Sequence, residues 1–170
     1  MFTPALLTGF PPVLHHDTRI LLLGSFPGVA SLAAQQYYAH PRNQFWKLLS
    51  AILDDNLVDL TYADRLHRLR QHRIGLWDAL DVCAREGSLD SAIKNAKPND
   101  FAMLRQYCPQ LVRIGFNGKA SGAFAPLFDA AGFETLVLPS SSPANAQWSF
   151  SEKLAVWRGI IGQDRATIPT

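Results

Sequence analysis

Three short segments of the sequence combine glycine, hydroxyl, amide and aromatic residues in patterns that could bind and cleave a ligand. The first, residues 24–28, reads Gly-Ser-Phe-Pro-Gly, and its two glycines permit tight turns that leave backbone N–H groups directed outward. It is neither a dinucleotide-binding nor a Walker motif, because it lacks a middle glycine, a helix directly after it and a Gly-Lys-Ser/Thr sequence. Taken alone, the segment also fits an ordinary turn after a strand.

The second segment, residues 37–46, places two tyrosines before a corner rich in polar residues and proline. An aromatic face beside amide and imidazole donors suits a flat ligand with polar edges, such as a nucleobase. Tyr38 could supply that face, or it could belong to the core. Asn43 could act on a ligand, or it could be the N-cap of the helix that follows. His40 could donate to a phosphate or a base, or it could be structural.

The third segment, residues 138–146, contains three serines between two prolines and an asparagine close behind them. Hydroxyl and backbone N–H groups of such a stiff, uncharged loop can hold a phosphate without a lysine. A serine- and proline-rich linker is the alternative, and the position of the segment directly after a strand disfavours it.

Apolar runs and helical spacing predict that the first and third segments follow buried strands, whereas the second lies between an irregular stretch and a helix. Strands are predicted at residues 19–23, 76–82, 111–116 and 134–138, and helices at residues 43–53, 61–73, 98–107, 119–131 and 149–161. Alternating strands and helices predict an α/β fold with a mostly parallel sheet covered on both faces. Since ligands bind at the carboxyl ends of such strands, the places to look for chemistry are residues 24–28, the residues after Trp77, residues 117–118 and residues 139–145.

Two of the predicted helices begin with sequences typical of helix caps. Ser149 followed by Glu152 is a capping box, and Thr61 followed by Asp64 resembles one with Asp in place of the more usual Glu. The stretch between residue 28 and residue 41 carries no such signal and is expected to be irregular.

Composition places the chain among soluble globular proteins. It has 170 residues, 48% hydrophobic and 18% charged, and a net charge of +2, which is compatible with nucleic acid but far from a histone-like protein. We expect one domain over residues 1–170. With only two cysteines, Cys83 and Cys108, a four-cysteine metal site is excluded and a disulfide framework is disfavoured. No apolar run reaches about 18 residues, and residues 1–12 are a poor signal peptide, so a cytoplasmic location is expected.

Other candidate sites are weaker. The helix at residues 61–73 carries a basic cluster that fits a solvated face or a phosphate-attracting one: Arg65, His67, Arg68, Arg70, His72 and Arg73. Cys83 has no base nearby in sequence, and a Gly-x-Ser-x-Gly motif is missing, which disfavours a thiol or serine hydrolase. No metal site or cofactor is indicated.

The spacing of the three segments resembles the uracil-DNA glycosylase superfamily, and within it the hypoxanthine-DNA glycosylase branch, which is similar to mismatch-specific uracil-DNA glycosylases. The likeness covers about residues 19–161. It implies a three-layer α/β/α sandwich around a short, mostly parallel sheet. It also implies a monofunctional DNA repair enzyme that hydrolyses the N-glycosidic bond of deaminated bases, chiefly hypoxanthine and more weakly uracil or xanthine, with damaged DNA as its partner and a monomer as the expected state.

The resemblance also implies roles for individual residues. Asn43 would be the catalytic residue and would orient the attacking water through its amide oxygen. The expected base-binding residues are Gly24, Ser25, Phe26 through its amide, Tyr38 by stacking, and Asn117 at the strand end. The expected DNA-binding residues are His40, Ser140, Ser142 and Asn145, with Pro143 and Ala144 as a wedge. The three segments contain no lysine, which disfavours Schiff-base lyase chemistry.

Two positions depart from the better-known branches of that superfamily. Phe26 stands where many relatives carry Asp or Asn to position water, and Leu138 stands where some carry His to stabilise the departing base. Strong uracil excision is therefore not expected, and catalysis would depend on Asn43. Two alternatives stay open: a DNA-binding module that has lost catalysis, and an α/β enzyme that acts on a small nucleotide.

Overall fold

A four-stranded parallel sheet forms the centre of the protein in a computed structural model, which describes residues 5–165, with side chains up to residue 162. The strands are, in chain order, β1 (Leu7–Thr8), β2 (Ile20–Gly24), β3 (Ile74–Asp78), β4 (Leu80–Ala84), β5 (Lys94–Pro98), β6 (Arg113–Asn117) and β7 (Glu134–Leu138). The central sheet has the order β3-β2-β6-β7. Residues 1–4 and 166–170, which belong to the predicted domain and in part to the segment judged a poor signal peptide, lie outside the described residues.

Seven α-helices are found among the described residues: α1 (Val29–Ala34), α2 (Phe45–Leu53), α3 (Tyr62–Gln71), α4 (Leu104–Tyr107), α5 (Lys119–Gly122), α6 (Ala125–Ala130) and α7 (Phe150–Trp157). Two 3₁₀ segments are also present among the described residues, one between β4 and β5 at Asp90–Ala92 and one after α7 at Arg158–Arg165. None of the described helices is long and apolar enough to cross a membrane.

The register of the sheet brings the ends of all four strands to one edge. Gly24 at the end of β2 lies opposite Asp78 at the end of β3, and Asn117 at the end of β6 lies opposite Leu138 at the end of β7. All pairs in this sheet are parallel, so every carboxyl end points the same way. The predicted α/β fold with a mostly parallel sheet is confirmed.

Apolar side chains fill both faces of the sheet, which is why β2 is a continuous hydrophobic run rather than an alternating one. Leu22 packs on the face covered by α2, α3 and α7, in a cluster that includes Phe45 and Trp157. Leu21 and Leu23 pack on the other face with Phe116 and residues of α4 and α6. These two faces give the three-layer arrangement expected from the sequence.

The predicted strand at residues 76–82 is two strands in two different sheets. β3 ends at Asp78, and after Ala79 the chain enters β4, which pairs antiparallel with β1 and β5 in a second, three-stranded sheet. The N–H of Ala79 donates to the carbonyl of Gly24 at 2.7 Å, so the crossing point is tied to the end of β2. The sequence hides this break because both strands are apolar.

Other differences in the helices have local causes. The predicted helix at residues 119–131 is divided into α5 and α6, and Pro126, which has no N–H, lies at the start of α6. The predicted helix at residues 98–107 is reduced to α4, since Pro98 ends the exposed strand β5 and residues 99–103 are turn and irregular structure. Helix α1 begins directly after Gly28, which corrects the expectation that no helix follows the first segment.

The helix caps predicted from sequence are present. Ser149 and Glu152 form the reciprocal capping box of α7, with side chain-to-backbone hydrogen bonds of 3.0 and 3.1 Å. Thr61 Oγ1 accepts from the N–H of Asp64 at 3.2 Å at the start of α3. The bonds from the N–H groups of Glu152 and Asp64 satisfy donors that the first turn of a helix leaves without a partner.

Candidate active site

A cavity of about 770 Å³ opens at the carboxyl edge of the central sheet. The last residue of each parallel strand lines it, namely Gly24, Asp78, Asn117 and Leu138. Sheets of this kind bind ligands in that position, because strand ends and the loops after them converge there.

The residues that the sequence indicated as a site all line this cavity. They are Gly24, Ser25, Phe26, Tyr38, His40, Asn43, Asn117, Ser140, Ser142, Pro143, Ala144 and Asn145. Segments far apart in the chain therefore meet as expected, while the role of each residue stays a prediction.

Ser141 joins two of the predicted site residues. Its hydroxyl accepts a hydrogen bond from Asn117 Nδ2 at 2.8 Å and donates one to Asn43 Oδ1 at 2.8 Å. Its backbone N–H donates to Asn117 Oδ1 at 2.9 Å, and its side chain is 1% exposed. This buried bridge holds the third segment against the second and against the end of β6. The family resemblance selected Ser140 and Ser142 and not Ser141, because nothing in the sequence marks which of the three serines is buried.

Asn43 lines the cavity and lies one residue before the N-cap of α2, which is Gln44, so the alternative that Asn43 is the N-cap is wrong, although its side chain does bind the first N–H of the helix. Its Oδ1 accepts from the Phe45 N–H at 3.0 Å as well as from Ser141. A carbonyl oxygen has two lone pairs, and both are used here. The expectation that this oxygen orients water therefore disagrees with the structure. Within the described chain, the Nδ2 group of Asn43 has no partner and is the part left for a ligand.

Tyr38 sits between the core and the cavity. Its ring stacks on Phe45 with a centroid distance of 3.8 Å and an interplanar angle of 14°. Its backbone has φ 55°, the left-handed conformation that costs a bulky residue energy. Its hydroxyl is buried and makes no hydrogen bond of good geometry, although the Asn117 side chain lies near enough to act on it as a donor. Burial, followed by the nearby Asp78, raises the pKa of Tyr38 above the ordinary value, and Asn117 opposes the rise. One ring face is thus covered by Phe45, and only the other can meet a ligand.

Asp78 is the titratable group that sequence reasoning missed. It ends β3, lines the cavity and is 4% exposed, and its Oδ2 has no hydrogen-bond partner among the described residues. Burial, followed by the charge of Asp90, raises the pKa of Asp78 to about 7, although Arg85 opposes the rise. The available signal was a lone carboxylate closing an otherwise apolar strand.

Gly24 is required by space rather than by backbone conformation. A Cβ at this position would lie 2.5 Å from Asp78 Oδ1 and 2.8 Å from Tyr38 Oη. The carboxyl and the phenol therefore both approach the same backbone atom at the floor of the cavity. This floor is accessible only because the side chain is missing.

The first segment contributes backbone rather than side chains. The ring of Phe26 is buried with Leu80 and Cys83, so it packs in the interior, and its amide N–H has no partner in the described chain. The hydroxyl of Ser25 donates to Asp90 Oδ1 at 2.6 Å. That bond ties the segment to residues 88–91, a further cavity wall that the sequence did not indicate.

The serine- and proline-rich segment is preorganised by its own hydrogen bonds. Ser140 Oγ accepts from the Ser142 N–H and Ser142 Oγ accepts from the Ala144 N–H, both at 3.2 Å. Asn145 Nδ2 donates to the Ser140 carbonyl at 3.1 Å. Pro143 and Ala144, at the tip, are exposed. A linker would not show this order.

The rim of the cavity carries groups that suit a polyanion with bases. His40 Nδ1 accepts from the Arg42 N–H at 3.0 Å, which makes Nε2 the nitrogen that carries hydrogen. Trp148 is 38% exposed, and Lys119 is exposed at the start of α5; both line the rim. Lys119 lies outside the three segments, so the sequence search for a lysine did not find it.

The basic cluster of α3 serves packing rather than the cavity. Arg68 Nη1 and His72 Nε2 contact the carboxylate of Asp55 at 2.6 and 3.0 Å, and Arg65 donates to the carbonyls of Leu57 and Val58. None of these residues lines the cavity. Among the described residues, no three His, Cys, Asp or Glu side chains come together as a metal site.

Comparison with known proteins connects this cavity to a family. Residues 11–160 match the family model of the uracil DNA glycosylase superfamily.

The chain belongs to the uracil DNA glycosylase superfamily.

Relatives within the uracil DNA glycosylase superfamily agree with the branch indicated by the three segments. A protein named hypoxanthine DNA glycosylase from Methanosarcina acetivorans is 47% identical over 153 residues, which cover 90% of this chain and 96% of that protein. One of the same name from Methanosarcina barkeri is 45% identical over 145 residues, covering 85% of this chain and 92% of that protein. The family resemblance drawn from the sequence is confirmed.

Two further comparisons concern the fold and a more distant branch. A solution NMR structure of a Methanosarcina acetivorans protein has a TM-score of 0.82 at 44% identity and covers 92% of this chain and 99% of its own. A Schizosaccharomyces pombe protein named G/U mismatch-specific uracil DNA glycosylase is 30% identical over 123 residues, 68% of this chain but 36% of that protein. The superfamily fold therefore covers nearly the whole chain.

Proposed function

We propose that this protein is a DNA glycosylase that hydrolyses the N-glycosidic bond of deaminated bases, chiefly hypoxanthine. The two relatives that are 45% and 47% identical carry the name hypoxanthine DNA glycosylase. The observation that carries the proposal is the cavity in which Tyr38 and the Nδ2 group of Asn43 face the same space at the ends of the parallel strands.

The base enters this cavity from the duplex. Leaving the base stack costs a few kcal/mol, and less where pairing is already weak, as it is opposite a deaminated base. The free face of Tyr38 offers a new stacking surface that is backed by Phe45. The unpaired N–H of Phe26 is available to a carbonyl oxygen of the base and to the negative charge that develops on it.

Asn43 holds the attacking water through its nitrogen. The Nδ2–H donates to one lone pair of the water oxygen and leaves a second lone pair free to attack C1′ of the sugar. The amide is not a base, but a sugar with cation-like charge needs a correctly placed water more than a strong nucleophile. Because Ser141 and the Phe45 N–H both hold Oδ1, the amide cannot rotate away from this position.

The residues at the rim of the cavity bind the phosphate backbone of duplex DNA. We expect the protein to act as a monomer. The N–H of Ser140 and the hydroxyl hydrogens of Ser140 and Ser142 bind phosphate, with Lys119 adding positive charge. Pro143 and Ala144 are exposed at the loop tip and fill the space that the extruded base leaves in the helix. The preorganised loop makes these contacts without a large ordering cost.

Two substitutions at Asn43 test the proposal. Asn43→Asp keeps an oxygen for Ser141 and for the Phe45 N–H but removes the Nδ2 donor, and Asn43→Ala removes both. We expect each to lower single-turnover excision from a deoxyinosine duplex at least a hundredfold while the thermal unfolding temperature of Asn43→Asp stays close to that of the wild type. Asn56→Ala, an exposed asparagine away from the cavity, is the matched control. Excision is measured by cleaving the abasic sites with alkali.

The same assay decides between the proposal and its alternatives. Oligonucleotides with hypoxanthine, uracil or xanthine are tested in parallel for strand scission and for binding. Binding without scission of any of them identifies a DNA-binding module that lacks catalysis, a reading supported by Phe26 and Leu138, whose side chains are both buried in apolar clusters. If the protein neither binds nor cuts any of these oligonucleotides, DNA is not its substrate, and the small-nucleotide alternative is favoured. Full activity of Asn43→Asp contradicts the role of Nδ2.

A further inference from the structure

A buried carboxyl group without a function in the scheme above lies at the floor of the cavity. Asp78 is almost completely buried, with only 4% of the residue exposed, and yet its Oδ2 has no hydrogen-bond partner among the described residues. A buried polar group without a partner is costly, and such groups persist mainly where a ligand completes them. The neighbouring Tyr38 hydroxyl is also buried and makes no hydrogen bond of good geometry, but the Asn117 side chain lies near enough to act on it, so Asp78 Oδ2 is the polar atom at this floor that a ligand would complete.

We propose that Asp78 is a catalytic general acid that protonates N7 of the purine as it leaves. The inference rests on the proposed function and adds to it the group that makes a purine a good leaving group. Asn43 acts on the sugar side of the cavity, whereas Asp78 acts on the base. Tyr38 and Gly24 place the purine, because the bare Cα of Gly24 leaves room for the carboxyl and the phenol at the floor of the cavity.

The surroundings of Asp78 allow it to keep a proton near neutral pH. The titratable or charged groups that act on it, or share its cavity, are Tyr37, Tyr38, Tyr62, Arg85, Asp90, His40 and Lys119. Burial raises its pKa to about 7, Asp90 adds to the rise, and Arg85 opposes it. Asp90 itself is exposed, and its Oδ1 already accepts from Ser25, so it does not compete for the acid role.

The reaction balances with water as the only co-reactant. The electron pair of the C1′–N9 bond moves into the purine while the Asp78 O–H proton passes to the N7 lone pair, so hypoxanthine leaves as a neutral molecule. The water held by Asn43 bonds to C1′ and releases its proton to solvent. The Asp78 carboxylate then takes a proton from solvent, and the enzyme returns to its starting state.

Asp78→Asn and a substrate that lacks N7 test the proposal together. Single-turnover excision is measured for duplexes with deoxyinosine or 7-deaza-deoxyinosine, in which N7 is replaced by C–H, between pH 5.5 and 9. For deoxyinosine, the wild-type rate should be level at low pH and fall about tenfold per pH unit above pH 7. Asp78→Asn should lose at least tenfold at pH 6 and show a flat profile. On the 7-deaza substrate, wild type and Asp78→Asn should be equally slow, because substrate and variant remove the same interaction.

Other outcomes contradict the acid role. If Asp78→Asn loses the same factor on both substrates and keeps the wild-type pH profile, Asp78 is only structural. If wild type excises both substrates at the same rate, N7 is not protonated. Asp81→Asn, a carboxylate in β4 that does not line the cavity, should behave as wild type. No excision of deoxyinosine by the wild type contradicts the proposed function itself, which separates that failure from a failure of the acid role.

Discussion

Ser141 donates its hydroxyl hydrogen to Asn43 Oδ1 at 2.8 Å, although the two residues lie 98 positions apart in the chain. The same hydroxyl accepts from Asn117, so one buried serine sets the orientation of two amide side chains. A hydroxyl can donate once and accept from others, and each partner here fits that capacity. The position of the Asn43 amide is therefore determined by the third segment as much as by its own helix.

Ser141→Ala should reduce excision without unfolding the protein. It removes the hydroxyl that binds Asn117 Nδ2 and leaves Asn43 Oδ1 held only by the Phe45 N–H, so the Asn43 amide is less firmly oriented and we expect a ten- to hundredfold lower single-turnover rate. The lost bonds should lower the free energy of unfolding by about 1–3 kcal/mol. Ser50→Ala is the control, because Ser50 also bonds to backbone groups within the core but lies away from the cavity. Equal loss of activity in the two variants would mean that only stability matters.

Gly24→Ala should inactivate the site by displacing its floor. The added methyl group would lie 2.5 Å from Asp78 Oδ1 and 2.8 Å from Tyr38 Oη, so one or both groups must move. Overpacking of this kind costs about 1–3 kcal/mol of stability, and we expect a loss of excision greater than tenfold. Urea unfolding and single-turnover rates check both effects. Gly159→Ala, whose nearest neighbour is the flexible end of Leu136, should keep its activity, and unaltered excision by Gly24→Ala would contradict the crowding described.

The sequence predicts the parts of this fold that depend on local patterns. The apolar run of β2 indicates a buried parallel strand, and the Ser149–Glu152 cap marks the start of α7 correctly. It does not predict β5, because Lys94–Pro98 is exposed throughout and has no alternating face. It does not divide β3 from β4 either, since the change of sheet at Ala79 depends on tertiary pairing.

In the candidate site too, the sequence predicts what depends on local pattern and does not predict what depends on tertiary contacts. Tyr38 and Asn43 could be selected because aromatic and amide residues stand out at a corner rich in proline. Asp78 is harder to select, because the sequence shows only a lone carboxylate at the end of an apolar strand, and its significance lies in its burial and its neighbours. The use of Asn43 Oδ1 by Ser141 likewise depends on residues that only the folded chain brings together.

Asp78→Asn should change the pH dependence of stability. Burial raises the pKa of Asp78 from its ordinary 3.8 to about 7. Between these values the folded protein holds a proton that the unfolded chain has released, so the contribution to the free energy of unfolding is largest below pH 4 and falls as the pH rises to 7. Relative to Asp78→Asn, the wild type should lose up to about 4 kcal/mol over this window. Urea denaturation at intervals from pH 4 to pH 8 measures it; a constant difference would contradict the raised pKa.

Trp148→Ala should weaken binding to DNA and leave the fold unchanged. The indole lies at the rim and is 38% exposed, and stacking of a base on an aromatic side chain contributes about 1–3 kcal/mol. We expect the Kd for a deoxyinosine duplex to rise at least fivefold at fixed salt, with thermal unfolding unaffected. Leu127→Ala, which removes an exposed apolar side chain of α6 away from the cavity, is the control. Unchanged binding by Trp148→Ala would exclude the rim contact.

The pairing of Tyr38 with Phe45 has a consequence for the energy of base extrusion. Two parallel rings already stand in contact before any ligand arrives. A purine that stacks on the face of Tyr38 opposite Phe45 extends this pair to a stack of three rings. It thereby replaces the base-stacking contacts that it loses in the duplex with aromatic contacts in the protein. Because the stacking surface is already formed before DNA binds, no free energy is spent on ordering it while the base is extrahelical and unstacked.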